Sequence, residues 1–350
     1  MKFSGAFADA LKRVRPVDLA LYESALERHD TLTKPPGSLG RLEPLGARLA
    51  ALQGTLKPRI GKRAVAVFAA DHGVTAAGVS AYPKSVTAAM VRNFLAGGAA
   101  INALAGAAQA ELLVVDVGVE ADLPAHPRLV SRKIAPGTKN MLTAPAMTGA
   151  EVEEALNVGS EVARALIANG ATLLAGGEMG IGNTTAAAAL TAFLTGSSPS
   201  EVTGRGTGLD DAGLARKVAV IEKVLMRHHA GLTGPLDALE RLGGLEIAAL
   251  TGFYVGAASA RVPIVLDGFI STSAALVAVR LEPAVGDYLF ASHLSQERGH
   301  RVQLGALGLE SLFDLELRLG EGSGAVLAFG MLEGAAAVLA GMATFDEAGL

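Results

Sequence analysis

The sequence predicts an α/β fold: a Rossmann-like, doubly wound, mainly parallel β-sheet, with a small helical domain built from both ends of the chain. Three observations favour this class. Short apolar runs alternate with helical segments, the pattern of parallel strands covered by helices on both faces. Each run ends in glycine or a polar residue, as happens where open α/β sheets bind ligands. The first 58 residues contain no such run and show helical periodicity instead.

Five apolar runs are the predicted strands: residues 64–70, 112–117, 171–175, 264–266 and 288–291. Polar residues must follow buried strands in any fold, but that explains only some of the residues found here. Because the carboxyl ends of parallel strands meet at one edge of a sheet, we expect a ligand site at that edge. Acids and histidines concentrate there: Asp71, His72, Asp116, Glu178, Asp267 and His293.

Helical periodicity covers residues 19–29 and 42–52 near the start of the chain, and residues 325–340 near its end. We therefore predict a Rossmann-like substrate-binding domain over residues 59–311. Residues 1–58 and 312–350 are predicted to form the small helical domain.

The composition excludes several classes of protein. The 350 residues include no cysteine, which rules out disulfides, thiolate metal ligands and a cysteine nucleophile. The net charge is −4, and no basic run exceeds two residues, so nucleic acid is not expected as a partner. Glycine and polar residues interrupt the longest uncharged stretches, so no membrane span is predicted. The amino terminus has no apolar signal core, and we expect a cytoplasmic location.

A glycine-rich segment, GGEMGIGNTT at residues 176–185, follows the third predicted strand and opens into a helix. Glycines let backbone N–H groups approach a ligand, and a helix start at Asn183, Thr184 and Thr185 adds hydroxyls and a positive dipole end. This arrangement predicts a phosphate site. Glu178 would repel an adjacent phosphate, so we place it near a less negative part of a nucleotide-like ligand. The alternative is a tight turn that needs glycine only for steric reasons.

A second glycine frame, LGEGSGA at residues 319–325, again holds one carboxylate, Glu321, in front of a helix. Burial of such a glutamate raises its pKa toward that of a general base. The alternative is an acid favoured by the helix dipole, followed by Ser323 as the cap.

A third frame, GRGTG at residues 204–208, precedes a predicted helix over residues 214–229 that carries Arg216 and Lys217. Backbone amides with a nearby cation are a plausible phosphate partner. Asp210 and Asp211 could hold magnesium, but no apolar strand leads into them, so helix capping is favoured.

Other familiar site types are disfavoured. His72 and His293 lack metal-ligand spacing, so we predict polar packing or substrate contact for them and no metal. Ser292 and Ser295 do not lie in a G-x-S-x-G elbow, which argues against a serine hydrolase.

Five motifs together resemble the nicotinate-nucleotide:dimethylbenzimidazole phosphoribosyltransferase family. They are KPPGSLGRLE at 34–43, ADHGV at 70–74, GEMGIGNTT at 177–185, LDGF at 266–269 and RLGEGSGA at 318–325, in the family's order. The resemblance implies transfer of the 5-phosphoribosyl group from nicotinate mononucleotide to 5,6-dimethylbenzimidazole. The products are α-ribazole 5′-phosphate and nicotinate, in assembly of the cobalamin nucleotide loop. It further implies no cofactor, and a homodimer with its sites near the subunit boundary.

The resemblance also assigns residues. It makes Glu321 the general base and Glu178 the second catalytic carboxylate. Phosphate contacts carry over to Gly180, Asn183, Thr184, Thr185, Gly204, Gly206 and Lys217. The base pocket is predicted at Tyr82, Met90, Met179 and Leu319. Residues 85–90 read SVTAAM where family members often carry a glutamine that lines this pocket, so the preferred azole or purine stays open.

Two other functions remain as alternatives. One is a nicotinamide-dependent oxidoreductase that binds pyrophosphate on the glycine loops, although the G-x-G-x-x-G motif is missing. The other is a non-enzymatic nucleotide-binding protein, which would leave Glu178 and Glu321 unexplained.

Overall fold

A computed structural model describes residues 4–350 and places a six-stranded sheet at the centre of the chain. All strand pairs are parallel, and the strand order is β3-β2-β1-β4-β5-β6, which is the order of the Rossmann fold. The predicted fold class is confirmed, and the sheet is wholly parallel. The strands are β1 (Lys62–Ala70), β2 (Ala110–Gly118), β3 (Leu129–Ser131), β4 (Ala171–Met179), β5 (Ile264–Leu266) and β6 (Leu289–Ala291).

Helices connect and cover these strands. They are α1 (Gly5–Leu11), α2 (Leu19–Thr31), α3 (Leu42–Gln53), α4 (Val86–Ala96), α5 (Ala100–Ala107), α6 (Gly149–Ala168), α7 (Asn183–Thr195), α8 (Pro199–Val202), α9 (Asp211–His228), α10 (Pro235–Leu242), α11 (Leu245–Ser259), α12 (Phe269–Leu281), α13 (Arg298–Leu307), α14 (Ser323–Gly341) and α15 (Phe345–Ala348). Short 3-10 turns occupy Gly73–Ala77, His229–Gly231 and Pro283–Tyr288.

The core lies between the sheet and its helices. Helix α11 is buried along nearly its whole length, packing on α6 and on β1, β2 and β4. The rings of Phe68 on β1 and Phe253 on α11 meet edge to face, with centroids 5.5 Å apart. Helix α14 packs on β4, β5, α3 and α5, which brings the end of the chain onto the sheet.

Strand β4 differs from the prediction in a way that affects the site. The sequence predicts a strand that ends at residue 175, but β4 continues through the glycines to Met179, so Glu178 lies in the strand rather than in a loop. Gly177 makes this possible, because a Cβ there would collide with the carbonyl oxygen of Glu321. The glycines at this point therefore serve close backbone packing. The three-residue strand β3 is absent from the prediction, because it lies at the edge of the sheet and only two of its residues are apolar, whereas the equally short β5 is buried and wholly apolar.

The terminal helices form a separate small apolar cluster. Ala25 of α2, Ala47 and Ala50 of α3, and Leu339 of α14 are fully buried together, apart from the main core. Helix α1 packs instead on α6 and α11, where the Phe7 N–H donates to Asn157 Oδ1 at 2.9 Å. The proposed domain boundaries near residues 58 and 311 stay predictions.

Within residues 4–350, α14 is the one helix long and apolar enough to cross a membrane by length and composition. Half of it is buried inside the protein, as is usual for a core helix.

Candidate active site

A cleft opens at the carboxyl ends of β4, β5 and β6, at the edge of the sheet where the sequence predicts a ligand site. Glu178 and Met179 line it from β4, Gly268 from β5 and His293 from β6. The loop before α14 closes one side through Arg318, Leu319 and Gly320. The turn into α7 closes another through Gly180, Ile181, Asn183 and Thr184.

Glu178 is the central carboxylate of this cleft, and its side chain is 6% exposed. Its Oε2 accepts a hydrogen bond from the Asn183 amide at the start of α7. Burial, with the nearby charges of Asp267 and Glu246, raises the pKa of Glu178 to about 8. Near neutral pH this carboxyl is therefore mostly protonated, and it ionises as the pH rises through about 8.

Glu321 lies behind the loop that closes the cleft. Its backbone adopts the left-handed conformation (φ 65°), between two glycines that do the same. Its carboxylate is buried and accepts a hydrogen bond from the Ile101 N–H, 3.3 Å away at the start of α5. Burial is the main cause that raises the pKa of Glu321, and Asp267 adds to it. The carboxylate therefore faces α5, and Glu321 is absent from the cleft lining.

Gly320 brings the two glutamates together. A Cβ at this position would collide with Glu178 Oε1, so only glycine lets the loop pack on the carboxylate. The two predicted catalytic acids thus lie on either side of one short backbone segment, Glu178 toward the cleft and Glu321 toward α5.

Asp267, at the end of β5, holds this loop in place. Its fully buried carboxylate accepts hydrogen bonds from the N–H groups of Gly324 (2.8 Å), Gly322 (3.1 Å) and Ala325 (3.2 Å) at the start of α14. The alternative in which Ser323 caps this helix is wrong: Ser323 donates to the Gly320 carbonyl, and Asp267 accepts from the N–H groups at the helix start. The sequence places Asp267 at a strand end without assigning it a role, because its partners lie over 50 residues away.

The predicted phosphate residues gather around the start of α7, next to Glu178. Lys217 of α9 is fully buried, and its Nζ donates to Thr184 Oγ1 at 2.8 Å and to the Gly204 carbonyl at 3.2 Å. Burial lowers the pKa of Lys217 to about 8. Gly180, Asn183, Thr184 and Gly206 line the cleft, whereas Thr185 is buried behind them with an unpaired hydroxyl.

Two further carboxylates in and around the cleft, Glu297 and Glu246, are absent from the prediction. Glu297 lines the cleft, and its Oε1 accepts from the Gly206 N–H at 2.8 Å. Glu246, in the first turn of α11, forms a fully buried pair with His72 Nε2 at 2.6 Å. An acid is common in a first helical turn, so Glu246 carries no signal in the sequence.

The predicted base-pocket residues separate into two groups. Met179 and Leu319 line the cleft, next to Glu178 and Gly320. Tyr82 is 52% exposed and Met90 lies half-buried on α4, and neither belongs to the cleft lining. The structure therefore does not bring all four together.

The remaining predicted sites have structural roles or carry no metal geometry. Asp210 caps α9, accepting from the Gly213 N–H at 2.7 Å, as predicted, and Asp211 pairs with Arg205. Across residues 4–350, no three histidine or acidic side chains are grouped so that they could hold a metal ion.

Known proteins share this fold and sequence. The family model DBI_PRT, described as phosphoribosyltransferase, matches residues 14–350. A protein of Thermus thermophilus named nicotinate-nucleotide--dimethylbenzimidazole phosphoribosyltransferase is 56% identical over 334 residues, 95% of this chain and 99% of its own. A Chloroflexus aggregans protein of the same name is 53% identical over 340 residues, 97% and 96% of the two chains. The chain belongs to this family.

A solved structure agrees with the assignment. The crystal structure of CobT from Thermus thermophilus superposes with a TM-score of 0.92 at 56% identity, covering 95% of this chain and 99% of that one. Membership of the nicotinate-nucleotide–dimethylbenzimidazole phosphoribosyltransferase family confirms the family, the fold and the enzyme class predicted from the motifs. The two alternatives, a nicotinamide-dependent oxidoreductase and a non-enzymatic nucleotide-binding protein, are therefore wrong.

Proposed function

We propose that the chain transfers the 5-phosphoribosyl group of nicotinate mononucleotide to 5,6-dimethylbenzimidazole, forming α-ribazole 5′-phosphate and nicotinate. One observation carries the assignment of roles: Glu178 and Glu321 are buried on opposite sides of the loop around Gly320, Glu178 in the cleft and Glu321 toward α5. A phosphorylated ribose fits beside Glu178 with its phosphate at the start of α7, where the buried Lys217 holds the cleft-lining Thr184.

The phosphate binds at the start of α7 in this proposal. The dipole of α7 favours an anion there, and Lys217, which holds the Thr184 hydroxyl, supplies a positive charge. Gly206 also lines the cleft, and the Gly204 carbonyl accepts a hydrogen bond from Lys217. Thr185, which is buried, supports the turn from behind.

Glu178 acts on the bond that breaks. The leaving group of nicotinate mononucleotide is a pyridinium. Its ring nitrogen becomes neutral as nicotinate departs, so the step needs no metal and no acid. Positive charge then develops on the ribosyl carbon, and the carboxylate of Glu178 stabilises it electrostatically. The positively charged pyridinium ring of the donor favours the ionised form of Glu178 when it binds, because an opposite charge lowers the pKa of a carboxyl.

Glu321 acts on the bond that forms. One nitrogen of the benzimidazole attacks the ribosyl carbon with its lone pair, which makes the N–H of the other nitrogen acidic. Glu321 takes that proton, and its raised pKa suits it to the task. Attack opposite the departing nicotinate converts the β-glycoside into an α-glycoside.

The decisive experiment replaces the proposed base. With nicotinate mononucleotide and 5,6-dimethylbenzimidazole, Glu321→Gln should release nicotinate ~10²-fold more slowly, the scale of a lost general base. Glu316→Gln is the matched control, since Glu316 is an exposed glutamate in the same loop with the same left-handed backbone (φ 56°). Chromatography measures the nicotinate released.

Each outcome has a separate meaning. Parental turnover in Glu321→Gln shows that the base assignment is wrong. A parent protein that releases no nicotinate with any benzimidazole shows that the proposed reaction is wrong.

We also infer a homodimer in the cytoplasm. Leu327 and Met331, one turn apart on α14, are each 40% exposed on a helix whose other side lies in the core. Gly330 beside them has no atom within van der Waals reach of a Cβ. An exposed apolar strip of this kind suits contact with a second copy of the chain.

A further inference from the structure

The proposed donor carries two anionic groups, a phosphate at one end and a carboxylate on the pyridine ring at the other. Lys217 accounts for the first. The carboxylate distinguishes nicotinate from nicotinamide, and no residue considered so far recognises it. The following inference rests on the proposed function.

Few side chains in the cleft could bind a carboxylate. Among the described residues that line it, only Arg318 and His293 have basic side chains. Burial lowers the pKa of His293, and its ring stacks on Phe313 while its Nδ1 contacts Ser292 Oγ at 3.1 Å. His293 is therefore neutral near pH 7 and already surrounded.

Arg318 has neither constraint. It is exposed at the rim of the cleft, and across residues 4–350 its guanidinium makes no ion pair or side-chain hydrogen bond. A guanidinium stays charged at every accessible pH, and its planar pair of N–H groups matches a carboxylate.

Position along the loop completes the argument. Arg318 is two residues before Gly320, whose backbone packs directly on the Glu178 carboxylate. Leu319 and Gly320 lie between Arg318 and Glu178 in the cleft lining. We propose that the pyridine ring of the donor packs along Leu319 and Gly320, and that Arg318 binds the carboxylate of the nicotinate base and selects the acid over the amide form of the donor.

The test compares two donors that differ only in this group. We measure kcat/KM for nicotinate mononucleotide and nicotinamide mononucleotide with the parent, Arg318→Met, Arg318→Lys and the control Arg164→Met. Arg164 is an exposed arginine on α6 that lines a different groove. Arg318→Met should lower kcat/KM for the acid ~10- to 100-fold, as expected for a lost charged hydrogen bond, and leave the amide within ~3-fold. Arg164→Met should change neither value.

The lysine variant guards against misfolding, because it keeps the charge and should retain part of the preference for the acid. An unchanged ratio of the two donors in Arg318→Met overturns the inference, as does a parent that does not prefer the acid. If the parent uses neither donor, the proposed function fails. Calorimetry with free nicotinate and nicotinamide then tests Arg318 alone, and equal loss of both ligands in Arg318→Met rejects its role.

Discussion

Glu178 in the cleft and Lys217 behind the cleft-lining Thr184 are buried groups of opposite charge type, and burial moves the pKa of each toward the other. Burial and like charges raise the pKa of Glu178 to about 8, and burial lowers the pKa of Lys217 to about 8. Glu178 gains charge as the pH rises, whereas Lys217 loses it. The proposed roles require both groups to be ionised.

We therefore expect kcat/KM for nicotinate mononucleotide to pass through a narrow maximum near pH 8. Below it activity falls because Glu178 is protonated, and above it activity falls because Lys217 is neutral. Lys217→Arg should remove the descending limb, since guanidinium does not titrate there. Lys223→Arg, an exposed change on the same helix, is the control, and pH–rate profiles make the measurement. A descending limb that persists in Lys217→Arg shows that another group controls it.

At the scale of elements, the start of α14 depends on a single distant carboxylate. Asp267 at the end of β5 accepts from three N–H groups in the loop that carries Glu321. Its charge also raises the pKa of Glu178. One residue thus positions the proposed general base, Glu321, and raises the pKa of Glu178.

Asp267→Asn should therefore have two effects. The loss of charged acceptors at the helix start should lower the free energy of unfolding by about 1–3 kcal/mol. Removing the like charge should lower the pKa of Glu178 and move the ascending limb of the pH–rate profile to lower pH. Ser323→Ala, which removes only the bond to the Gly320 carbonyl, should leave the ascending limb in place. Denaturant titration and pH–rate profiles give the two readouts, and an unmoved ascending limb in Asp267→Asn contradicts the electrostatic part.

Helix α4 raises a separate question about the acceptor. Residues 85–90 include no asparagine or glutamine, so this segment offers no side-chain amide to fix the incoming base. Of its last three residues, Ala88 is buried, Ala89 is exposed and Met90 is half-buried. We expect 5,6-dimethylbenzimidazole to be preferred, with benzimidazole accepted within ~10²-fold in kcat/KM, because methyl groups contribute only ~1–3 kcal/mol in an apolar pocket.

Competition between the two bases in one reaction measures that preference. Met179→Ala should reduce it by removing an apolar side chain that lines the cleft, while Met226→Ala, an exposed position on α9, should not. A preference for adenine over both bases contradicts an apolar pocket.

The elements that the sequence predicts correctly are those whose determining residues lie close together in the chain. The turn into α7 is recognisable because the glycines, Asn183 and the two threonines are adjacent in the chain, and Asp210 is recognisable as a cap three residues from its partner. The pairing of Glu246 with His72 spans 174 residues, and Asp267 reaches α14 across more than 50. No period or motif encodes such contacts, which follow from the strand order.

The whole molecule brings these segments together through that order. Strands β4 and β5 are neighbours although about 90 residues separate them, and α14 returns from the end of the chain to pack on both. The site is therefore built where the large sheet meets the terminal helices. Any contact that shifts α14 also shifts the loop of Glu321.

The exposed strip on α14 leads to the last prediction. We expect the parent to sediment as a dimer, at twice the 35.5 kDa of one chain, and Leu327→Asp with Met331→Asp to sediment as a monomer. Charges on this face of α14 cost desolvation at an apolar contact, whereas Met226→Asp, at a 74% exposed position on α9, should remain a dimer.

Because α14 begins directly after Glu321, the monomeric variant should also lose turnover, and circular dichroism checks that it stays folded. A parent that sediments at 35.5 kDa contradicts the homodimer. If the double variant remains a dimer, the interface lies on another face of the chain. Two buried carboxylates without partners would not be tolerated between two copies of this apolar strip.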